Sequence, residues 1–116
     1  MLYTNLYHLE TAHDLGQLLR EKSDLLVVCG RMDPRCVTAY RIAEALEKEY
    51  SQVKFCDLEF DHPELQSVRQ LPEIETLKEL PVAIYFKKGR IADATTDILT
   101  TPQLRALLDK NKLNKL

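Results

Sequence analysis

Three cysteines, three histidines and 18 acidic side chains are the groups in this 116-residue sequence that could do chemistry. Cys29 and Cys36, with six residues between them, come closest to a working pattern. Thiol–disulfide exchange needs one thiolate that can reach a partner's sulfur and a second thiol that resolves the mixed disulfide. The two could pair if their Cα atoms approach within about 7 Å with suitable Cβ directions. Cys36 follows Asp33-Pro34-Arg35, and a helix N-terminus with Arg31 and Arg35 nearby would favour its thiolate. The Asp33 carboxylate acts in the opposite sense, and a cysteine at this position can equally be inert core, as can Cys29 at the end of an apolar run. Cys56 reads as plain core. The Cys29–Cys36 spacing is not that of a structural zinc site, and His8, His13 and His62 are not clustered with it. No metal or cofactor is therefore expected. Asp57, Glu59 and Asp61 alternate with apolar residues and read as a solvated strand edge, and His62 before Pro63 as part of a turn.

The elements that must position these groups alternate between strand and helix. Leu2 to Leu9 reads as a strand, and Thr11 as the cap of a helix whose Ala12, Leu15, Leu18 and Leu19 recur at helical spacing. Leu25-Leu26-Val27-Val28-Cys29 is an unbroken apolar run, the pattern of a strand buried on both faces of a parallel sheet. Asp33-Pro34 is a strong helix start, since Asp accepts from free N–H groups and proline suits the first helical position. That second helix is expected to run to about Tyr50, with Cys36, Ala39, Ala43, Leu46 and Tyr50 on one stripe. Val53 to Leu58 reads as a third strand. A short helix follows from Pro63, and a further turn carries Ile74 and Leu77. Val82–Lys87 and Arg90–Ala94 flank Lys88-Gly89 as a hairpin, and the last helix opens at Thr101-Pro102. The order β-α-β-α-β-α-β-β-α predicts one α/β domain over residues 1–116, a central mixed β-sheet flanked by helices.

Bulk composition excludes several function classes. Hydrophobic residues make up 45% and charged residues 29%, the balance of an ordinary globular domain. A net charge of −2 argues against nucleic-acid binding, which calls for a basic excess or stripe. The cluster Lys110, Lys112 and Lys115 complements the negative end of the last helix. No apolar run reaches the roughly 20 residues of a membrane span, and the N-terminus carries no signal-peptide pattern. Few cysteines, odd in number, make cytoplasm the expected compartment.

From about Leu2 to Lys112 the sequence resembles the thioredoxin family. Three segments carry the likeness. The first is Val27-Val28-Cys29-Gly30-Arg31-Met32-Asp33-Pro34-Arg35-Cys36, strand, loop and helix start. The second is Leu80-Pro81-Val82, similar to the family's cis-proline segment. The third is Phe86-Lys87-Lys88-Gly89-Arg90 followed by Thr101-Pro102-Gln103-Leu104. The resemblance implies a thioredoxin fold and a peptide-binding groove formed by Asp33, Pro34, Leu80, Pro81 and Asp97. It also marks three departures. Against the family's Trp-Cys-Gly-Pro-Cys this chain reads Met32-Asp33-Pro34-Arg35-Cys36, so Asp33 stands where the exposed cysteine would be. The family's buried acid falls on Val27, and its groove glycine on Asp97. The Asp-Pro-Arg-Cys segment also resembles, locally, the spliceosomal thioredoxin-like proteins of the DIM type, which are binding components.

Two functions stay open at this level. One is an atypical, weak thiol–disulfide oxidoreductase using Cys36, with or without Cys29. The other is a redox-inactive binding module. Either implies a protein or peptide partner beside Pro81 and a monomer or weak dimer.

Overall fold

The computed structural model describes residues 3–75, 79–96 and 100–112. Five strands form one sheet in the order β1-β3-β2-β4-β5. β1 (Tyr7–Leu9), β3 (Lys54–Glu59) and β2 (Asp24–Gly30) run parallel. β4 (Val82–Lys87) and β5 (Arg90–Thr96) complete the sheet as an antiparallel hairpin on β2. Helices α1 (Ala12–Glu21), α2 (Pro34–Glu47), α3 (Gln66–Arg69), α4 (Pro72–Glu75) and α5 (Thr101–Lys112) cover both faces, and a 3₁₀ turn, Pro63–Leu65, leads into α3.

Side-chain alternation on β2 sorts the core in two. Leu26 and Val28 pack with Cys36, Ala39, Tyr40 and Ala43 of α2 and Leu104 and Leu108 of α5. Leu25, Val27 and Cys29 point the other way, toward Leu15 and Leu18 of α1, Leu65, Val68 and Ile74. With both faces covered, β2 has no polar face, which is why its sequence reads as an unbroken apolar run. At its start the Tyr85 hydroxyl donates to Asp24, and Lys87 Nζ lies 3.0 Å from the same carboxylate. Lys88 and Gly89, with φ of 53° and 83°, take the left-handed conformations that a two-residue hairpin turn requires.

Several expected elements have different limits. The first strand is confined to Tyr7–Leu9, the stretch that pairs with Cys56–Leu58. α2 ends at Glu47 rather than near Tyr50, and the short helix expected from Pro63 is a 3₁₀ turn that runs into α3, with α4 at the further turn that carries Ile74. Leu77 lies outside the described residues. The reading of Asp57 as part of a solvated edge is corrected. β3 lies between β1 and β2, and Asp57 is 1% exposed. Its carboxylate accepts from the Thr4 hydroxyl, and His8 Nδ1 lies 2.7 Å away. These two partners, from the segment before and within β1, are what make burial of that charge tolerable.

The approach of α2 to the sheet depends on Gly30. A Cβ there would sit 2.6 Å from the Tyr40 hydroxyl oxygen and 2.8 Å from Cys36 Sγ. Gly30→Ala should therefore overpack the junction and cost about 1–3 kcal/mol. Urea unfolding should show a lower midpoint with an unchanged slope; an unchanged midpoint would mean that α2 can retreat freely.

Candidate functional site

The β2–α2 junction is built from local signals. Asp33, extended at φ −103° and ψ 166°, caps α2, and its Oδ1 accepts from the Cys36 N–H at 2.9 Å. Pro34 takes the first helical position, where a missing N–H costs nothing. The Tyr40 hydroxyl, one turn past Cys36 and wholly buried, donates to the Arg31 carbonyl at 2.8 Å and pins the loop from below. The sequence pattern does not single out Tyr40. Its position four residues after Cys36 on the buried face is the signal that finds it.

Above this scaffold the loop is polar and open. Arg31 Nε lies 2.6 Å from Asp61, with both side chains more than half exposed, and the Arg31 guanidinium sits 5.1 Å from the Phe60 ring centroid. Arg69 holds the facing segment by donating to the carbonyls of Phe60 and His62 at 2.7 and 2.8 Å. Met32 is 42% exposed, the one large apolar side chain of the loop that faces solvent.

The Leu80–Pro81 segment lies beside this loop. Cys29 pairs with Val82 at the end of the β2–β4 ladder, so Gly30 and Pro81 follow directly on neighbouring strands. The Leu80–Pro81 peptide bond is cis. Pro81 is buried, and Leu80 packs against both halves of the core. The junction thus brings together Asp33, Pro34, Leu80 and Pro81 at one end of the sheet. Asp97 lies outside the described residues.

The thiols do not form a pair. Cys29, Cys36 and Cys56 are all free and all buried. Cys29 points into the core half holding α1, and Cys36 into the half holding α2, so the sheet separates them. That geometry does not join Cys29 to Cys36, whatever the loop length between them. Burial raises the Cys36 thiol; the Arg31 backbone opposes this, and the Asp33 carboxyl adds to it. Burial pushes Cys29 up to about 12, reinforced by Cys36, and pushes Cys56 up to about 12. Asp33 itself is held below the usual carboxylate range, chiefly by the Cys36 N–H. The loop end therefore presents a carboxylate to solvent and keeps its thiols protonated beneath.

A scan against protein-family models finds no match, and a search of curated proteins finds none. Solved structures do match. Plasmodium falciparum thioredoxin superposes with a TM-score of 0.78 at 17% identity, covering 91% of this chain and 99% of that one. Fasciola hepatica thioredoxin gives 0.77 at 23%, covering 90% and 98%. Mitochondrial thioredoxin 3 from Saccharomyces cerevisiae gives 0.77 at 15%, covering 90% and 94%. The fold is that of the thioredoxins. At these identities the likeness extends to the thioredoxin fold and not to its chemistry.

Raised thiols carry a pH signature. A group whose folded pKa exceeds its unfolded value contributes stability that is complete below the unfolded pKa and is lost as pH rises toward the folded one. For Cys29 and Cys56 the window runs from about 8.5, the ordinary thiol value, up to about 12. Stability should fall through it by up to about 1.4 kcal/mol per pH unit per thiol, with Tyr40 and Tyr85, raised chiefly by burial, adding to the loss. Urea unfolding at pH 7 and pH 10 measures this. Equal stability at the two values would contradict the burial argument. At pH 8 the folded thiols should also react with an aromatic disulfide reagent on the order of a hundredfold more slowly than in urea.

Proposed function

We propose that this thioredoxin-fold chain is a redox-inactive binding module that holds an extended segment of a partner protein between the Met32–Pro34 loop and the Leu80–Pro81 segment. One observation carries the reading. The solvent-facing position at the start of α2 is a helix-capping carboxylate, and the thiol behind it is 0% exposed. Exchange needs a thiolate in contact with a partner's sulfur, and the alternative, a thiol–disulfide site on Cys36 with or without Cys29, lacks that access. What the junction does offer suits a peptide. Met32 supplies an exposed apolar anchor, Asp33 a fixed charge, and the Leu80–Pro81 segment a stretch of backbone just before the β4 ladder begins, beside which an extended peptide can lie.

The decisive experiment separates binding from thiol chemistry. The protein should show no insulin-disulfide reduction above the uncatalysed rate, and Cys36→Ser should leave that result unchanged. Turnover near that of a thioredoxin control, abolished by Cys36→Ser, would overturn the proposal. Peptides selected by display on the wild type should bind Cys36→Ser equally well and lose about tenfold in affinity on Met32→Asp.

Asp33→Cys tests the assignment of the position. The new thiol would sit at the cap, one helical turn from Cys36, where helix N–H groups favour a thiolate. Oxidised glutathione should then close an intramolecular disulfide with Cys36. Two molecules of reduced glutathione leave, and the protein becomes two hydrogens lighter by intact mass. Reductase activity should become measurable. Thiols that stay free in the folded variant would show that Asp33 does not occupy a nucleophile's place.

A further inference from the structure

Four sulfur atoms lie among the described residues, and their environments divide them three to one. Cys29, Cys36 and Cys56 are buried in the two halves of the core. Met32, on the loop between β2 and α2, is exposed. A thiol must ionise before it reacts with a peroxide, whereas a thioether has no proton to lose. Among the described residues an oxidant in solution therefore meets one open sulfur, and it sits in the loop assigned to partner binding.

That loop is fixed on both sides of Met32. Before it, the Arg31 carbonyl accepts from the Tyr40 hydroxyl at 2.8 Å, and Arg31 Nε and Nη2 lie 2.6 and 3.2 Å from the two carboxylate oxygens of Asp61. After it, Asp33 Oδ1 accepts from the Cys36 N–H at 2.9 Å. None of these contacts uses the Met32 side chain, which belongs to neither half of the core. Its chemistry can change at the surface while the junction beneath stays as it is.

We propose that Met32 is an oxidation site that switches partner binding: the thioether holds an apolar residue of the partner, and the sulfoxide releases it. The inference rests on the binding role of the Met32–Pro34 loop and adds its control by a peroxide. In the reaction a lone pair on Met32 Sδ attacks one oxygen of hydrogen peroxide. A sulfur–oxygen bond forms as the oxygen–oxygen bond breaks. The proton of the transferred oxygen goes to the second oxygen, which leaves as water, so sulfur is oxidised and the peroxide reduced. The product is polar and chiral, and its new oxygen accepts hydrogen bonds. An apolar partner residue seated on it would bury that acceptor without a donor, which weakens binding by about tenfold. Asp33, next in the chain, brings a second acceptor rather than the donor that the sulfoxide needs.

The test uses a display-selected peptide that contains no methionine, cysteine or tryptophan. The protein is treated with hydrogen peroxide at pH 7, cleared with catalase and titrated with the peptide. Peptide mapping should place one oxygen on Met32 while all three thiols stay free. Affinity should fall by about tenfold with the urea midpoint unchanged. Methionine sulfoxide reductase with dithiothreitol, which returns the thioether and releases the oxygen as water, should restore it. Met32→Leu should bind the peptide and lose no affinity on the same treatment. Equal affinity before and after oxidation, an equal loss in Met32→Leu, a lowered urea midpoint or oxygen taken up first by a cysteine overturns the switch while the binding role stands. An untreated protein that selects no peptide overturns the binding role and the switch with it.

Discussion

At residue 30 the central strand presents bare backbone to a helix, and Cys36 and Tyr40 occupy the space a side chain would take. Close packing of this kind leaves little freedom, because interiors are as dense as organic crystals. From that contact the rest of the junction follows. Tyr40 reaches the Arg31 carbonyl only because the helix lies this near, and the same carbonyl then fixes the loop that lifts Arg31 and Met32 into solvent. Asp33 caps the helix at its first free N–H groups, so the loop cannot shift along the sheet without losing the cap. On the far side of β2, Cys29 pairs with Val82, so the same strand end that receives α2 also sets where Leu80 and Pro81 lie.

Much of this arrangement is legible in the sequence, for local reasons. The apolar run of β2, the Asp33-Pro34 start of α2 and the Lys88-Gly89 turn each carry their own stereochemical signal within a few residues. Together they place both thiol-bearing segments and the proline segment at one end of a mixed sheet. The separation of Cys29 from Cys36 is not local. Residue parity says that Leu25, Val27 and Cys29 share a face, but only the packing tells which face α2 covers. Asp57 misleads for a related cause. An acid alternating with apolar neighbours has the pattern of an exposed strand, and its two partners lie about fifty residues earlier in the chain. Glu59 and Asp61, in the same pattern, do stand at or near the surface.

Asp57 within β3 and Asp61 just past its end show how neighbouring polar groups can have opposite environments. Asp61 is exposed and held below its usual range, chiefly by the Arg31 guanidinium beside it. Asp57 is buried and raised, first by loss of water, with Thr4 and His8 opposing the shift. The first is a surface pair of the kind worth little to stability. The second is a buried charge whose partners cannot be removed without leaving it unpaired in the sheet.

The three buried thiols have one more consequence. Peroxides attack the thiolate, and the yield of sulfenic acid follows thiolate character and exposure. Cys29, Cys36 and Cys56 are all shielded by the sheet and its helices, with burial raising each thiol above its ordinary value. The folded chain offers an oxidant no ready thiolate, so oxidation by peroxide falls instead on the exposed thioether of Met32 beside Asp33, where the sulfoxide would turn an apolar side chain polar.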